Sequence, residues 1–485
     1  MMNTTRATAF SSGLAAAAVL AFVALGRRNP RRAAAARAGQ LPTATAGEAL
    51  RLLFGVVMPT VAKGVILRRP RVVALAERFN LDARAVRIVR ELRDTYQRGP
   101  VLVGPVAGRR WAVVLRPEHV HRILAATPEP FATATAEKRA VLAHFEPQGV
   151  LISHGADRAD RRRFNEAALD YGRPVHRLGD TLTAIVREEG VRLLSERCAD
   201  GELTWDRFAH SWFRAVRRVV FGEGAKDDAE LSRVMARLRS HANWAWLWPK
   251  QPALRRRLFD ILDAHLARAE PQSLAGAVAA LPVTSRTAPA QQVPQWLFAF
   301  DAAGIATFRT LALLATHPAH AERARQEIGT GFWMPPPPEL PYLRACLLDS
   351  VRLWPTTPLL LRESTEETAW ESGVMPAGTA VTIFAPFFHR DERRVPFAHR
   401  FAPDVWLHGQ AQEWAFVPFS GGPATCPGRD LVLLLASTML GVLIDRRDVR
   451  LRPPHRLDPE RALPGTLNPY ALRFRLATDG PARAI

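Results

Sequence analysis

The segment FSGGPATCPGR, Phe419 to Arg429, sets one cysteine among three glycines and two prolines. A cysteine kept for packing usually sits among other apolar residues. This one sits in a tight loop directly before an apolar helical run, LVLLLASTMLGVLI, Leu431 to Ile444. A helix N-terminus and loop amides favour thiolate over thiol at Cys426. Such an environment suits either a nucleophile or a metal ligand. A nucleophile needs a histidine base, and His389 and His399 are merely available.

Upstream, VPQWLFAFDAAGIATFRTLALLATHP, Val293 to Pro318, reads as one long helix. It is apolar nearly all round and is expected to run through the core. At its centre Ala303, Gly304 and Thr307 share one side. They leave a groove with a single hydroxyl, which either beds a flat cofactor or lets another helix approach closely. Asp301 lies ~120° around that helix from Thr307, with Arg309 on its side, and the two are expected to pair. In LPYLRACLLDSVRLWP, which begins at Leu340, Asp349 and Arg352 stand at i, i+3 and can form an ion pair. FFHRDERRVPFAHRFAPDVW, Phe387 to Trp406, is a meander that carries Arg400 and Phe401. GADRADRRRF, Gly155 to Phe164, is a basic helix whose arginines are either a solvated face or ligands to an anion.

With 485 residues and 48% hydrophobic residues, the chain can bury a large core. Patterns of helix dominate: 70–79, 82–97, 117–126, 156–169, 176–199 and 251–269. Strand-like runs are short: VLVGPV, WAVVLR, TAVTIF and LRFRLA. The expected fold class is mostly α with small peripheral β-sheets, and MPPPPEL, Met334 to Leu340, is a turn between helical regions. The net charge of +20 suits an acidic partner or an anionic surface. Nucleic acid is not expected, because there is neither zinc-finger spacing nor a basic-aromatic RNA motif. The Ala, Arg, Pro and Gly enrichment fits a GC-rich genome, and a bacterial source is expected. Cys198, Cys346 and Cys426 are too sparse for a disulfide scaffold, and the first two read as core. No GxxxxGK[ST] loop and no GxSxG elbow is present, so phosphate-loop and serine-hydrolase chemistry has no anchor.

Residues 1–45 read as a tail or a membrane anchor. The uncharged run 7–26 is long enough to span a bilayer core of ~30 Å. Most of its positive charge follows it, as RRNPRR, which would hold the rest of the chain on the cytoplasmic side. LLFGVVMP, Leu52 to Pro59, is too short to span and can lie at a surface.

Taken in order, these motifs resemble the cytochrome P-450 family, the haem-thiolate monooxygenases, over about residues 60–480. Phe419, Gly422, Cys426 and Gly428 match F-x-x-G-x-x-x-C-x-G. Asp349 and Arg352 resemble E-x-x-R, and Arg400 with Phe401 resembles the meander that locks onto it. Ala303 to Thr307 resembles A-G-x-D/E-T. The resemblance implies the cytochrome P-450 fold, one haem-thiolate domain over 46–485 and haem b (iron protoporphyrin IX). It implies Cys426 as the iron ligand, with Ala303, Gly304 and Thr307 beside the oxygen site. Gly422 and Gly428 would let backbone pass the porphyrin and the sulfur, while Phe419 keeps water from the thiolate. Arg158, Arg162 and Arg362 would pair with the haem propionates. Asp349, Arg352 and Arg400 would form a buried structural network.

Three departures stand out. Asp349 is one methylene short of the family's glutamate. Ala424 replaces the usual cation two residues before the cysteine. Ala306 replaces the usual acid before the threonine. The implied activity inserts one oxygen atom from dioxygen into a small apolar substrate. Electrons would come from a ferredoxin or flavodoxin-type donor with its reductase, since no flavin or iron–sulfur domain is visible. The alternatives are a peroxygenase using hydrogen peroxide and a non-catalytic haem sensor or carrier. TPLLL, Thr357 to Leu361, and LNPYAL, Leu467 to Leu472, would line the pocket. HANWAWLWP, His241 to Pro249, would line an access route, enter a membrane or simply pack.

Overall fold

A computed structural model describes residues 39–478, apart from 107, 246, 414, 446 and 454–456. The run 7–26 and its flanking arginines lie outside the described residues. The helices that shape the body are α1 (Pro70–Arg78), α2 (Leu81–Thr95), α3 (Pro117–Ala125), α4 (Ala136–Leu142), α5 (Gly155–Ala168), α6 (Gly179–Arg192), α7 (Trp205–Phe221), α8 (Ala229–Ala242), α9 (Pro252–Arg268), α10 (Val293–Leu314), α11 (Pro341–Leu353) and α12 (Arg429–Ile444). Proline opens α1, α3, α9 and α11, where its missing N–H costs nothing. The expected 176–199 helix is divided. α6 ends at Arg192 and continues as a π-turn over Leu193–Arg197.

α12 sits at the centre and packs against α6, α10 and α11. Every residue from Asp430 to Ile444 is buried, so the run lacks a polar face. α10 is similar, and it packs on α7, α11 and α12. By length and composition the stretch Pro289–Leu314 could cross a membrane, but it is mostly buried in protein, as a core helix is.

Three small sheets lie at the margin. One runs in the order β1 (Val101–Val106), β2 (Arg109–Val113), β8 (Ala380–Phe384), β5 (Leu359–Ser364), β3 (Phe131–Ala132). Its pairings are antiparallel except β2 with β8. A second has the order β4 (Glu202–Thr204), β10 (Arg473–Thr478), β9 (Arg447–Arg452), and β6 (Thr368–Trp370) pairs with β7 (Gly373–Met375). The sequence patterns found β1, β2, β8 and β10. They missed β9, where arginines alternate with the buried Val449 and Leu451. They also missed β5, expected only as pocket lining, which places Arg362 at the edge of the cysteine loop.

Candidate active site

Cys426 occupies the loop directly before α12, and that loop packs against the end of α3. Its backbone N–H donates to Phe419 O at 3.0 Å, and Arg429 N donates to Cys426 O at 3.3 Å. The loop is therefore closed on both sides of the sulfur. Gly428 is the N-cap of α12, and its amide is hydrogen-bonded to the thiol. Burial raises the thiol above its ordinary pKa, while the Gly428 amide, Arg162 and Arg429 pull it down. Burial wins for the free thiol. A bound metal ion would deprotonate it outright.

Two glycines fill roles other than those expected. Gly422 has φ +61°, and a Cβ there would lie 2.1 Å from Leu124 O. Its missing side chain admits the end of α3. At Gly304 a Cβ would lie 2.9 Å from the Trp212 indole of α7. Trp212 Nε1 donates to Phe300 O at 2.8 Å. Close helix packing accounts for Gly304, so the cofactor groove loses that member. Ala303 and Thr307 stay together, both buried, with Thr307 Oγ1 donating to Ala303 O at 2.8 Å. The hydroxyl hydrogen is thus spent within the helix, and the oxygen can still accept. Asp301 pairs with Arg239 of α8, not with Arg309. Arg309 instead donates to the carbonyls of Trp354 and Leu467.

Asp349 and Arg352 are both fully buried and meet in a two-point ion pair at 2.6 and 3.0 Å. Arg352 also donates to the carbonyls of Ala398, His389 and Arg400. Asp349 accepts from Ala402 N at 2.8 Å and Trp406 Nε1 at 3.1 Å. The meander is held by its backbone. The Arg400 side chain is exposed, so only its carbonyl joins the network, against expectation. His389, which no motif marked, connects this network toward the cysteine loop. Its Nε2 accepts from Val417 N at 2.9 Å and its Nδ1 lies 3.2 Å from Arg352 O.

The expected propionate cations divide. Arg162 is already committed, to Glu166 Oε1 at 2.6 Å and to Thr425 O at 2.7 Å. It tethers α5 to the cysteine loop instead. Arg362 is buried and donates only to neutral groups: Thr127 Oγ1 at 3.2 Å, Ser420 Oγ at 3.0 Å and Leu361 O at 3.0 Å. The Arg158 side chain makes no hydrogen bond or ion pair among the described residues, and only the more distant Glu166 charge favours its cation. Sequence reasoning missed a third cation, Lys138 of α4, which donates to Thr133 O at 2.9 Å and Leu361 O at 3.1 Å. Burial and then the charge of Arg158 lower Arg362 to about 10. Burial, Arg362 and Arg158 bring Lys138 well below its ordinary value, with only Glu137 opposing. Glu137 is itself paired with Arg109 at 2.5 Å. Among the described residues, none of these three neighbouring cations beside the cysteine loop makes an ion pair with a carboxylate. Buried charge of this kind normally has a counter-ion. The two propionates of a haem ligated at Cys426 would supply it, so these residues fit that group.

Residues 295–470 match the Cytochrome P450 family model. Cytochrome P450 4c3 of Drosophila melanogaster is 29% identical over 166 residues, covering 32% of this chain and 31% of its own length. Cytochrome P450 4g15 of the same fly is 32% identical over 155 residues, covering 30% and 27%. The chain thus aligns with about a third or less of these relatives' lengths. The crystal structure of a cytochrome P450 (CYP102L1) is similar with a TM-score of 0.66 at 17% identity, covering 81% of this chain and 94% of that one. The fold is that of a cytochrome P450, and the C-terminal part of the chain is similar in sequence to the cytochrome P450 family.

Proposed function

We propose that the chain is a haem b-dependent monooxygenase that transfers one oxygen atom from dioxygen to an apolar organic substrate. The observation that carries this reading is Cys426 on its closed loop beside the uncompensated cations Lys138, Arg158 and Arg362. The haem would supply dioxygen activation at its iron, with Cys426 Sγ as the ligand that donates electron density. The chain's own part is binding and positioning. The three cations would anchor the propionates, and Phe419, whose carbonyl holds the Cys426 amide, would limit water at the sulfur. The Thr307 oxygen accepts a hydrogen bond from water on the way to the oxygen site. The missing acid at Ala306, with Asp301 tied to Arg239, favours one second reading, a peroxygenase that takes its oxygen from peroxide.

A separate ferredoxin or flavodoxin-type donor suits the net charge of +20. Location on the cytoplasmic face of a membrane, through residues 7–26, is part of the same proposal. Phe54 and Met58 of the 52–59 segment are exposed, as are Trp244, Leu247 and Trp248. Arg69 stacks 4.2 Å over Trp244, beside the loop that Asn243 binds at Ile66 and Leu67.

The test is the reduced carbon monoxide spectrum of the haem-loaded chain. A strongly red-shifted Soret band is expected, with its loss in Cys426→Ala. A spectrum like that of a histidine-ligated haem overturns the reading. Turnover with a ferredoxin system against turnover with peroxide then separates monooxygenase from peroxygenase.

A further inference from the structure

Ile305 and Arg309 stand ~200° around α10 from Ala303 and Thr307. They line a cavity of about 50 Å3 on the opposite face of that helix. The segments 353–358 and 465–470 and the loop before α1 close it. Its charged lining consists of Lys63, Arg68, Arg309 and one carboxylate, Asp82. Lys63 is ion-paired with Asp82, which also accepts from Thr466 Oγ1 at 2.7 Å. That pair carries no net charge. Arg68 and Arg309 remain, and neither makes an ion pair among the described residues. Arg309 donates to Leu467 O at 2.7 and 3.0 Å and to Trp354 O at 3.0 Å. Arg68 donates to Gly64 O at 2.9 Å and to Thr356 O. Carbonyls occupy donors but cancel no formal charge. Each guanidinium carries five N–H groups, so both keep donors in reserve. Burial first, and then the neighbouring charge of Arg68, lower Arg309 to about 10, with Tyr470, Asp82 and Glu77 opposing.

A water-sized group needs ~10–15 Å3, so the cavity holds a cluster the size of a carboxylate. A carboxylate also matches the planar fork of arginine at two points. We infer that this cavity is an anion site, in which a carboxylate group is held between Arg68 and Arg309. The carboxylate belongs either to a small free acid or to one end of a larger molecule. Nothing in this inference depends on the monooxygenase reading.

Thermal unfolding of the full haem-loaded chain tests it at constant ionic strength, with acetate, cyclohexanecarboxylate and neutral cyclohexanecarboxamide as probes. Saturable stabilisation by at least one carboxylate, and none by the carboxamide, is expected. Arg68→Gln and Arg309→Gln should each weaken that binding tenfold or more. Asp82→Asn, which removes the one opposing charge, should tighten it. Equal binding of acetate and the ring acid assigns a free anion. Tenfold tighter binding of the ring acid assigns the end of a larger molecule. Equal stabilisation by carboxylate and carboxamide overturns the inference, as does unchanged affinity in Arg68→Gln. Arg68 lies outside α10, so its variant decides the matter even if Arg309→Gln fails to load haem.

Discussion

Ala424 stands two residues before Cys426, where the family resemblance leads one to expect a cation. Lys138 offers a replacement from a different element. Its ammonium has two carbonyl acceptors and no carboxylate, and it adjoins Arg158 and Arg362. Charge-assisted hydrogen bonds are worth ~1.5–3 kcal/mol each, roughly ten- to a hundredfold in an equilibrium constant. Lys138→Ala should therefore speed haem loss to an apoglobin acceptor by tenfold or more. Adding Ala424→Arg should restore retention by returning a cation to the other position. If Lys138→Ala retains haem like the parent chain, Lys138 is only a clamp on the Thr133 and Leu361 carbonyls. The cysteine loop was legible because its chemistry is local, eleven residues in Phe419 to Arg429. Of the cation cluster, the family resemblance named Arg158 and Arg362 but not Lys138, because the three belong to separate elements and no local motif joins them. Only the pairing of β5 with β8 brings Arg362 to its place.

At the scale of elements, α11 and the meander behave as one unit. Asp349 and Arg352 close their pair in full burial, and four backbone groups from His389 to Ala402 complete it. Removing one member of a buried pair costs ~3–5 kcal/mol, against a typical ~5–15 kcal/mol for a whole domain. Arg352→Ala should yield little soluble haem protein, measured as haem per chain after purification. Asp349→Glu adds a methylene to a fully buried side chain, at ~1–3 kcal/mol, and should fold with a lowered melting temperature. Normal yield and slow turnover in Arg352→Ala would mean that the network serves chemistry instead. The i, i+3 spacing made this pair readable in sequence. The role of Arg400 was misjudged because sequence shows side chains, whereas here the carbonyl makes the bond. Gly304 was misjudged for a related reason. Its sequence neighbours suggest a groove, but Trp212, far away in the chain, decides what the small residue is for.

Across the whole molecule, buried histidines couple stability to pH. His389 is the strongest case. Its Nε2 accepts from Val417 N, so the ring must donate from Nδ1 to Arg352 O and stay neutral. A second proton would set N–H against N–H, with the Arg352 charge close by. Burial, and then Arg352, lower its pKa to about 3. The unfolded chain titrates near ~6.5, so between these values the unfolded state holds one proton more. The stabilisation from neutral His389 is therefore complete above pH ~6.5. It drains by ~1.4 kcal/mol per pH unit as the pH falls toward the folded value. His144, His176 and His317 are shifted in the same direction, each chiefly by burial. Glu146 opposes them. It is fully buried with neither carboxyl oxygen bonded, and burial raises its pKa well above the ordinary value. Its contribution is present at low pH and is lost as the pH rises past the unfolded value of ~4.3. Four histidine slopes against one carboxyl slope place the stability maximum near the top of the histidine window, at pH ~6.5. Urea midpoints of the haem-loaded chain should thus fall steadily from pH ~6.5 to pH ~5. In His389→Gln the amide oxygen can still accept from Val417 N, while the titrating ring is gone. Its midpoint should fall less steeply, by about one proton's worth of slope. Parallel curves for the parent and His389→Gln would show that His389 does not set the acid limit of the fold.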